Sequence, residues 1–187
     1  LGAAREATTR EGAFLIFDEV QSGVGRTGWP FAAQKVGITP DVLTCAKSLA
    51  GGFPAGALVT TEAVSAGLSK GDLGTTFGGG PVACAAIEAV LETIRAEGLL
   101  EHVRDVSAYL EERCVTGPVT AVQGAGFLTG LILDRPAREV QASLLQQDIL
   151  TGTSADPRVL RLLPPLILER ELIARVRAVL RRSGSAT

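Results

Sequence analysis

The sequence predicts an α/β fold: part of a mainly parallel sheet with a crossover helix, followed by a smaller α+β unit. Three observations carry this. Residues 13–20 and 40–47 are short apolar runs with glycine or proline at their start and a charged end, the pattern of strands buried on both faces. A short helical stretch lies between them, and strand, crossover, strand in one sheet implies parallel pairing. Beyond Gly117-Pro118 the texture changes to shorter strands among helices.

Taken in order, the first strand reads Ala13-Phe14-Leu15-Ile16-Phe17-Asp18-Glu19-Val20, an apolar run that ends in acids. Gly23, Gly25, Gly28 and Pro30 then make a loop, and residues 31–36 a short helix. The second strand, residues 40–47, ends at Lys47; Gly51-Gly52-Phe53-Pro54 breaks the chain, and residues 57–61 form a third strand. Residues 71–80 are a glycine-rich loop. Pro81 opens a helix, since proline suits the first turn, with an apolar face of Ile87, Val90, Leu91 and Ile94. Leu99, Val103, Val106 and Leu110 continue that pattern in a second helix. Residues 119–122 and 127–133 read as strands of a smaller sheet, 136–150 as a helix and 159–163 as a strand. The last helix carries Leu172, Ile173, Val176, Val179 and Leu180 on one side, with arginines near the end where the helix dipole favours them. The domain boundary falls within the long helices, dividing the chain into residues 1–100 and 101–187.

Composition narrows the function classes. With 187 residues, 46% hydrophobic and 20% charged, the chain can bury a core and is not disordered. Lys and Arg number 18 against 20 Asp and Glu, so no basic excess points to nucleic acid or a membrane surface. No apolar stretch approaches the ~20 residues of a membrane span. Cys45, Cys84 and Cys114 are too few and scattered for a disulfide framework or a zinc site, and a single histidine, His102, forms no metal pair. No metal site is expected, and a reduced cytoplasmic setting is the default. The sequence contains no methionine and opens at Leu1, which suggests a piece of a longer chain.

Two residues stand out chemically. Asp18 closes an apolar strand. Strand-end acids can hold magnesium in nucleotide hydrolases, but the phosphate loop that such a site needs is absent, and a solvated pair of acids is the plainer reading. Lys47 closes the next strand. A strand-end lysine is usually solvated, yet in open parallel sheets ligands bind outside the carboxyl ends of the strands, and a lysine there can attack carbonyls. A lysine for a Schiff base and an acid for a pyridinium nitrogen is the pairing used in pyridoxal-phosphate chemistry. Arg161, within Val159-Leu160-Arg161-Leu162-Leu163, reads either as an edge-strand surface residue or as a planar fork for a carboxylate. His102 is expected at the surface, Cys45 in the core on the strand face that Lys47 shares, and Trp29 and Phe31 as packing residues.

Four segments resemble the class III aminotransferases: Phe17-Asp18-Glu19-Val20-Gln21-Ser22-Gly23-Val24-Gly25-Arg26-Thr27-Gly28; Pro40 to Lys47 with Gly51-Gly52; Gly74-Thr75-Thr76-Phe77-Gly78-Gly79; and Arg161-Leu162-Leu163-Pro164-Pro165-Leu166. They occur in the family's order and span nearly the whole chain. The nearest resemblance is to enzymes acting on acetylornithine and their relatives in lysine and diaminopimelate synthesis. The resemblance implies fold-type I, with pyridoxal 5'-phosphate as cofactor. Lys47 would carry the Schiff base and shuttle the proton, Asp18 would keep the ring nitrogen protonated, Val20 would pack on the ring and Gln21 would bond near its phenolic oxygen. Thr76 would contact the cofactor phosphate across a homodimer interface, Thr75 would lie near the substrate, and Arg161 near a substrate carboxylate or an acid that gates it.

The implied reaction moves the terminal amino group of N-acetylornithine, or a close acylated diamino acid, to 2-oxoglutarate. Ornithine, 4-aminobutyrate or lysine-pathway amines are the alternatives within the class, and a non-catalytic interaction fragment is the alternative outside it. The resemblance covers only the second half of the large cofactor-binding domain and the small C-terminal domain. The chain alone is therefore expected to be inactive or nearly so, and its half sheet to expose an apolar edge and face. Gly80-Pro81 stands where the family usually has Asn-Pro. Glycine at such an N-cap costs only a few tenths of a kcal/mol relative to asparagine.

Overall fold

The computed structural model describes residues 1–184, which form two compact units. One comprises Leu1–Gly25 and Trp29–Gly98; the other comprises Arg26–Gly28 and the chain from Leu99 onward. The three-residue excursion is what a contiguous division at residue 100 does not express.

The first unit contains α1 (Gly2–Arg10), β1 (Ile16–Asp18), α2 (Ala32–Val36), β2 (Val42–Cys45), a 3-10 turn (Lys47–Ala50), β3 (Ala57–Thr60), α3 (Glu62–Ser65) and α4 (Pro81–Ala96). Its sheet runs β1-β2-β3. β1 and β2 are parallel, with Ile16 opposite Val42 and Asp18 opposite Thr44. β2 and β3 are antiparallel, Cys45 facing Ala57. The expectation of a mainly parallel sheet thus holds for one of two pairings. The crossover through α2 gives the chain length to return in parallel, whereas the tight passage through Gly51 and Gly52, both at positive φ (61° and 108°), turns β3 back on β2.

β1 is also not buried on both faces. Phe14 and Ile16 are 65% and 59% exposed, while Leu15 is buried. Leu58 and Val59 of β3 are open too. The expected exposed apolar edge and face are therefore present. On α4 only Ile94 of the predicted stripe is buried; Val90 packs over Gly51, and Leu91 remains 48% exposed. The stripe is real, but most of it has no cover within this unit.

An ion pair fixes the entry to the sheet. The Asp41 carboxylate accepts the Leu15 N–H at 2.7 Å and meets Arg5 at 2.9 Å. The Leu15 amide, followed by the Arg5 guanidinium, holds the Asp41 carboxyl below the usual carboxylate range. A depressed native pKa stabilises the fold above the unfolded value, about 4, and that contribution disappears as pH falls through the native value. Asp41→Asn is therefore expected to lower stability at neutral pH and to leave less of an acid-induced decline. Urea midpoints measured from pH 7 to pH 3 for both proteins should converge at the acid end.

The second unit contains α5 (Leu99–Cys114), β4 (Val119–Ala125), β5 (Leu128–Leu133), α6 (Ala137–Leu145), β6 (Gly152–Thr153), β7 (Val159–Leu162) and α7 (Arg170–Gly184). Its sheet is antiparallel, in the order β4-β5-β7-β6. Val103, Val106 and Leu110 of α5 pack with Phe127, Leu131 and Leu160 in one core. The predicted faces of α5 and α7 are confirmed at Leu99, Val103, Val106, Leu110, Ile173, Val179 and Leu180, all buried; Leu172 is 43% exposed. α6 stops at Leu145 instead of 150. Asp148 takes a left-handed conformation (φ 59°), which aspartate tolerates, and the Ile149 N–H closes on the Leu144 carbonyl at 3.0 Å. Phe127 lies in the β4–β5 turn and not in a strand. Gly126 there has φ 55°, and a Cβ would sit 2.6 Å from the Thr27 carbonyl carbon. His102 is half-buried and not a plain surface residue, with Nε2 2.9 Å from the Leu168 carbonyl.

Candidate active site

β1 and β2 run side by side and end at the same edge of the sheet, where open α/β sheets place ligands. Asp18 is the last residue of β1. Its Oδ1 accepts the Val20 N–H at 3.0 Å and the Thr44 hydroxyl at 3.4 Å, and the residue is exposed. These bonds orient the carboxylate, while Oδ2 takes no hydrogen bond among the described residues.

Lys47 leaves the same edge from β2, three residues beyond Thr44, the register partner of Asp18. It does not close the strand as expected: β2 ends at Cys45, and Lys47 opens the 3-10 turn with φ 51°. Side-chain alternation stops with the strand, so Cys45 and Lys47 do not share a face; Cys45 is buried and Lys47 exposed. A left-handed lysine costs about 1–2 kcal/mol relative to the ordinary helical conformation. The Lys47 amine makes no hydrogen bond or ion pair among the described residues.

Val20, half-buried, and Gln21, exposed, begin the turn after Asp18. Thr75 and Thr76 lie on the exposed loop before α4. A Cβ on Gly78 would fall 2.0 Å from the Thr75 methyl, so the close turn at 75–78 depends on glycine. Arg161 is in the second unit. β7 lies between β5 and β6, so the edge-strand reading is incorrect. Its exposed side chain lies over Gly152, whose Cβ would be 3.3 Å from Nε, and it lines a cavity of about 480 Å³ with apolar walls including Leu162, Leu163 and Ile173. Asp18, Val20, Gln21 and Lys47 are thus gathered at one sheet edge, while Arg161 belongs to the other unit.

Glu19 reads in the sequence as half of a solvated acidic pair, yet it is only 2% exposed. Its carboxylate accepts the Ala32 and Ala33 N–H groups, at 3.0 and 2.7 Å, and the Ser22 hydroxyl at 2.7 Å. β1 ends at Asp18, so Glu19 lies beyond the strand, and its inward direction is set by the turn that follows rather than by apolar patterning.

Comparison with known proteins bears directly on this arrangement. The family model described as aminotransferase class-III matches residues 1–182. The chain belongs to the class-III aminotransferases. It is 44% identical over 176 residues to acetylornithine aminotransferase 1 of Bordetella pertussis, covering 91% of this chain and 44% of that protein. It is 47% identical over 178 residues to acetylornithine aminotransferase of Streptomyces coelicolor, covering 92% and 44%. Among solved structures, acetylornithine aminotransferase from Elizabethkingia anophelis matches with a TM-score of 0.88 at 26% identity, over 97% of this chain and 50% of that one. Ornithine aminotransferase from Toxoplasma gondii matches with a TM-score of 0.88 at 28% identity, over 99% and 46%. The fold is that of fold-type I aminotransferases, and the chain spans less than half the length of these curated relatives.

Pyridoxal 5'-phosphate is the cofactor of this aminotransferase class. The residues at the sheet edge fit it. An oriented carboxylate with an open oxygen suits a protonated ring nitrogen, and an unpaired amine on the neighbouring strand end suits an aldehyde. When bound, the cofactor supplies an electron sink that makes the carbon bearing the substrate amine acidic. Among the described residues no group of acids, histidines and cysteines could hold a metal ion, and no helix is long and apolar enough to cross a membrane.

Proposed function

We propose that the protein carrying this chain is an aminotransferase that moves the terminal amino group of N-acetylornithine, or a close acylated diamino acid, to 2-oxoglutarate. The observation that carries the reading is the delivery of Lys47 and Asp18 to one sheet edge in a class-III chain. The substrate class is favoured by the named relatives, acetylornithine aminotransferases at 44% and 47% identity. Lys47 would hold the cofactor through its aldehyde carbon and, when its amine is free, would take up and return the proton at the reacting carbon. Asp18 keeps the ring nitrogen protonated, Val20 and Gln21 orient the ring, and Arg161 receives a substrate carboxylate. Thr75 lies by the substrate, and Thr76 reaches the cofactor phosphate of a second subunit, so the working form is a homodimer in the cytoplasm. The exposure of the whole 71–79 loop in the single chain supports this part of the proposal. A second reading, action on ornithine itself, is favoured by the Toxoplasma gondii structure.

The test is steady-state kinetics of the full-length protein with N-acetylornithine and with ornithine, each against 2-oxoglutarate. A kcat/KM at least tenfold higher with N-acetylornithine is expected; the reverse preference selects the second reading, and no transfer from either overturns both. Asp18→Asn, which loses the charge that retains the ring proton, should lower kcat about 100-fold. That fall is about 2.7 kcal/mol, on the scale of removing one charge-stabilising group from an active site. The isolated 187-residue chain should show traces of turnover at most.

A further inference from the structure

We propose that Glu19 is a positioning residue for the cofactor's nitrogen partner, acting through the turn that follows β1. This rests on the reading of Asp18 given above.

The Glu19 carboxylate is buried, and three donors meet its oxygens. Oε2 receives the Ser22 hydroxyl and the Ala32 N–H, and Oε1 receives the Ala33 N–H. Ala32 and Ala33 open α2, so their N–H groups are among those a helix cannot satisfy internally. Glu19 thereby ties the end of β1 to the start of α2. Its own backbone completes the tie: its N–H donates to Thr44 of β2 at 2.8 Å, and its carbonyl accepts from Gly23 at 2.9 Å. Residue 20 lies inside this closed turn, and its N–H is the donor that holds Asp18 Oδ1 at 3.0 Å. One buried acid thus helps set the direction of an exposed one through the Val20 N–H, the shorter of the two bonds that Asp18 Oδ1 accepts, the other coming from the Thr44 hydroxyl at 3.4 Å. Gly23 cannot be replaced, because a Cβ there would lie 2.8 Å from the Glu19 carbonyl oxygen.

Glutamine at residue 19 has nearly the same shape but one acceptor oxygen. Its amide nitrogen would face at least one of the three donors, leaving a buried donor unpaired. The turn then reopens, and Asp18 loses an oriented bond without losing its charge. Small misplacements at a reacting centre are costly in rate, up to ~100-fold for about 1 Å.

The experiment compares wild type and Glu19→Gln as full-length protein with two readouts. In cofactor-free protein, amide hydrogen exchange at Val20 should accelerate at least tenfold, while exchange at Leu43 of β2 stays unchanged. In the loaded enzyme, kcat should fall about tenfold at unchanged KM, and Glu19→Asp, which keeps both acceptor oxygens, should recover part of it. Unchanged Val20 exchange overturns the inference whatever the cofactor does. Accelerated exchange with an unchanged kcat also overturns it, reducing Glu19 to a stabilising residue. If wild type shows neither cofactor absorbance nor transfer, the reading of Asp18 fails, and the exchange result alone decides whether Glu19 holds the turn.

Discussion

Lys47→Ala should abolish transfer, lowering kcat at least 1000-fold, and should remove the cofactor's imine absorbance while leaving the fold intact. The size follows from the role: a covalent catalyst has no substitute, and removal of such groups typically costs several powers of ten. The fold should survive because the lysine side chain is exposed and makes no bond among the described residues. Its backbone adds a second test. With φ at 51°, the position is held against the preference of any residue with a Cβ. Lys47→Gly relieves that cost but loosens the unfolded chain, two effects of about 1 kcal/mol and opposite sign. The glycine variant should therefore be at least as stable as the alanine variant and equally inactive. Denaturation midpoints and the absorbance spectrum, taken together, separate a strained catalytic lysine from a structural one. Imine that persists in either variant would contradict the assignment.

Phe127→Ala should cost 3–5 kcal/mol of stability, the usual range for emptying a fully buried aromatic site. Phe127 is 0% exposed at the centre of the second unit's core, against α5, β5 and β7. Its backbone is pinned as well, the N–H donating to the Arg26 carbonyl at 2.8 Å. The side chain can neither follow the collapse of a cavity nor be replaced by backbone movement. The measurement is urea unfolding of the chain, where the midpoint should drop sharply with little change in slope. A loss below about 1.5 kcal/mol would mean that the core closes around the gap, and that the turn at Gly126 is less fixed than its close approach to Thr27 implies.

The second unit was legible in the sequence almost throughout, because its helices and strands find their partners within the chain. Val103, Val106 and Leu110, or Ile173 and Leu180, are apolar at helical spacing and buried on the expected face. The first unit was less so. Ile16 and Leu91 have the right periodicity but remain open, since periodicity shows that a face is apolar and not whether this chain covers it. The direction of β3 depends on the length of a connection, which apolar patterning does not record. At the site, residue types carried the reading: an acid and a lysine on adjacent strand ends. What they could not convey was local backbone geometry. The left-handed turn at Lys47 and the inward side chain of Glu19 both follow from where the strand stops, and strand ends are the least marked feature of a sequence.

Arg26, Thr27 and Gly28 belong with the second unit although first-unit chain flanks them on both sides. The Arg26 guanidinium donates to the Pro164 carbonyl, the Arg26 carbonyl accepts from Phe127, and the Gly28 carbonyl accepts from Arg104. A recombinant piece beginning at Leu99 would thus lack a three-residue plug that its own hairpin and helix are built to receive. Supplying that tripeptide, tethered by circular permutation or added in trans within a longer peptide, should restore what scission at Gly98 takes away.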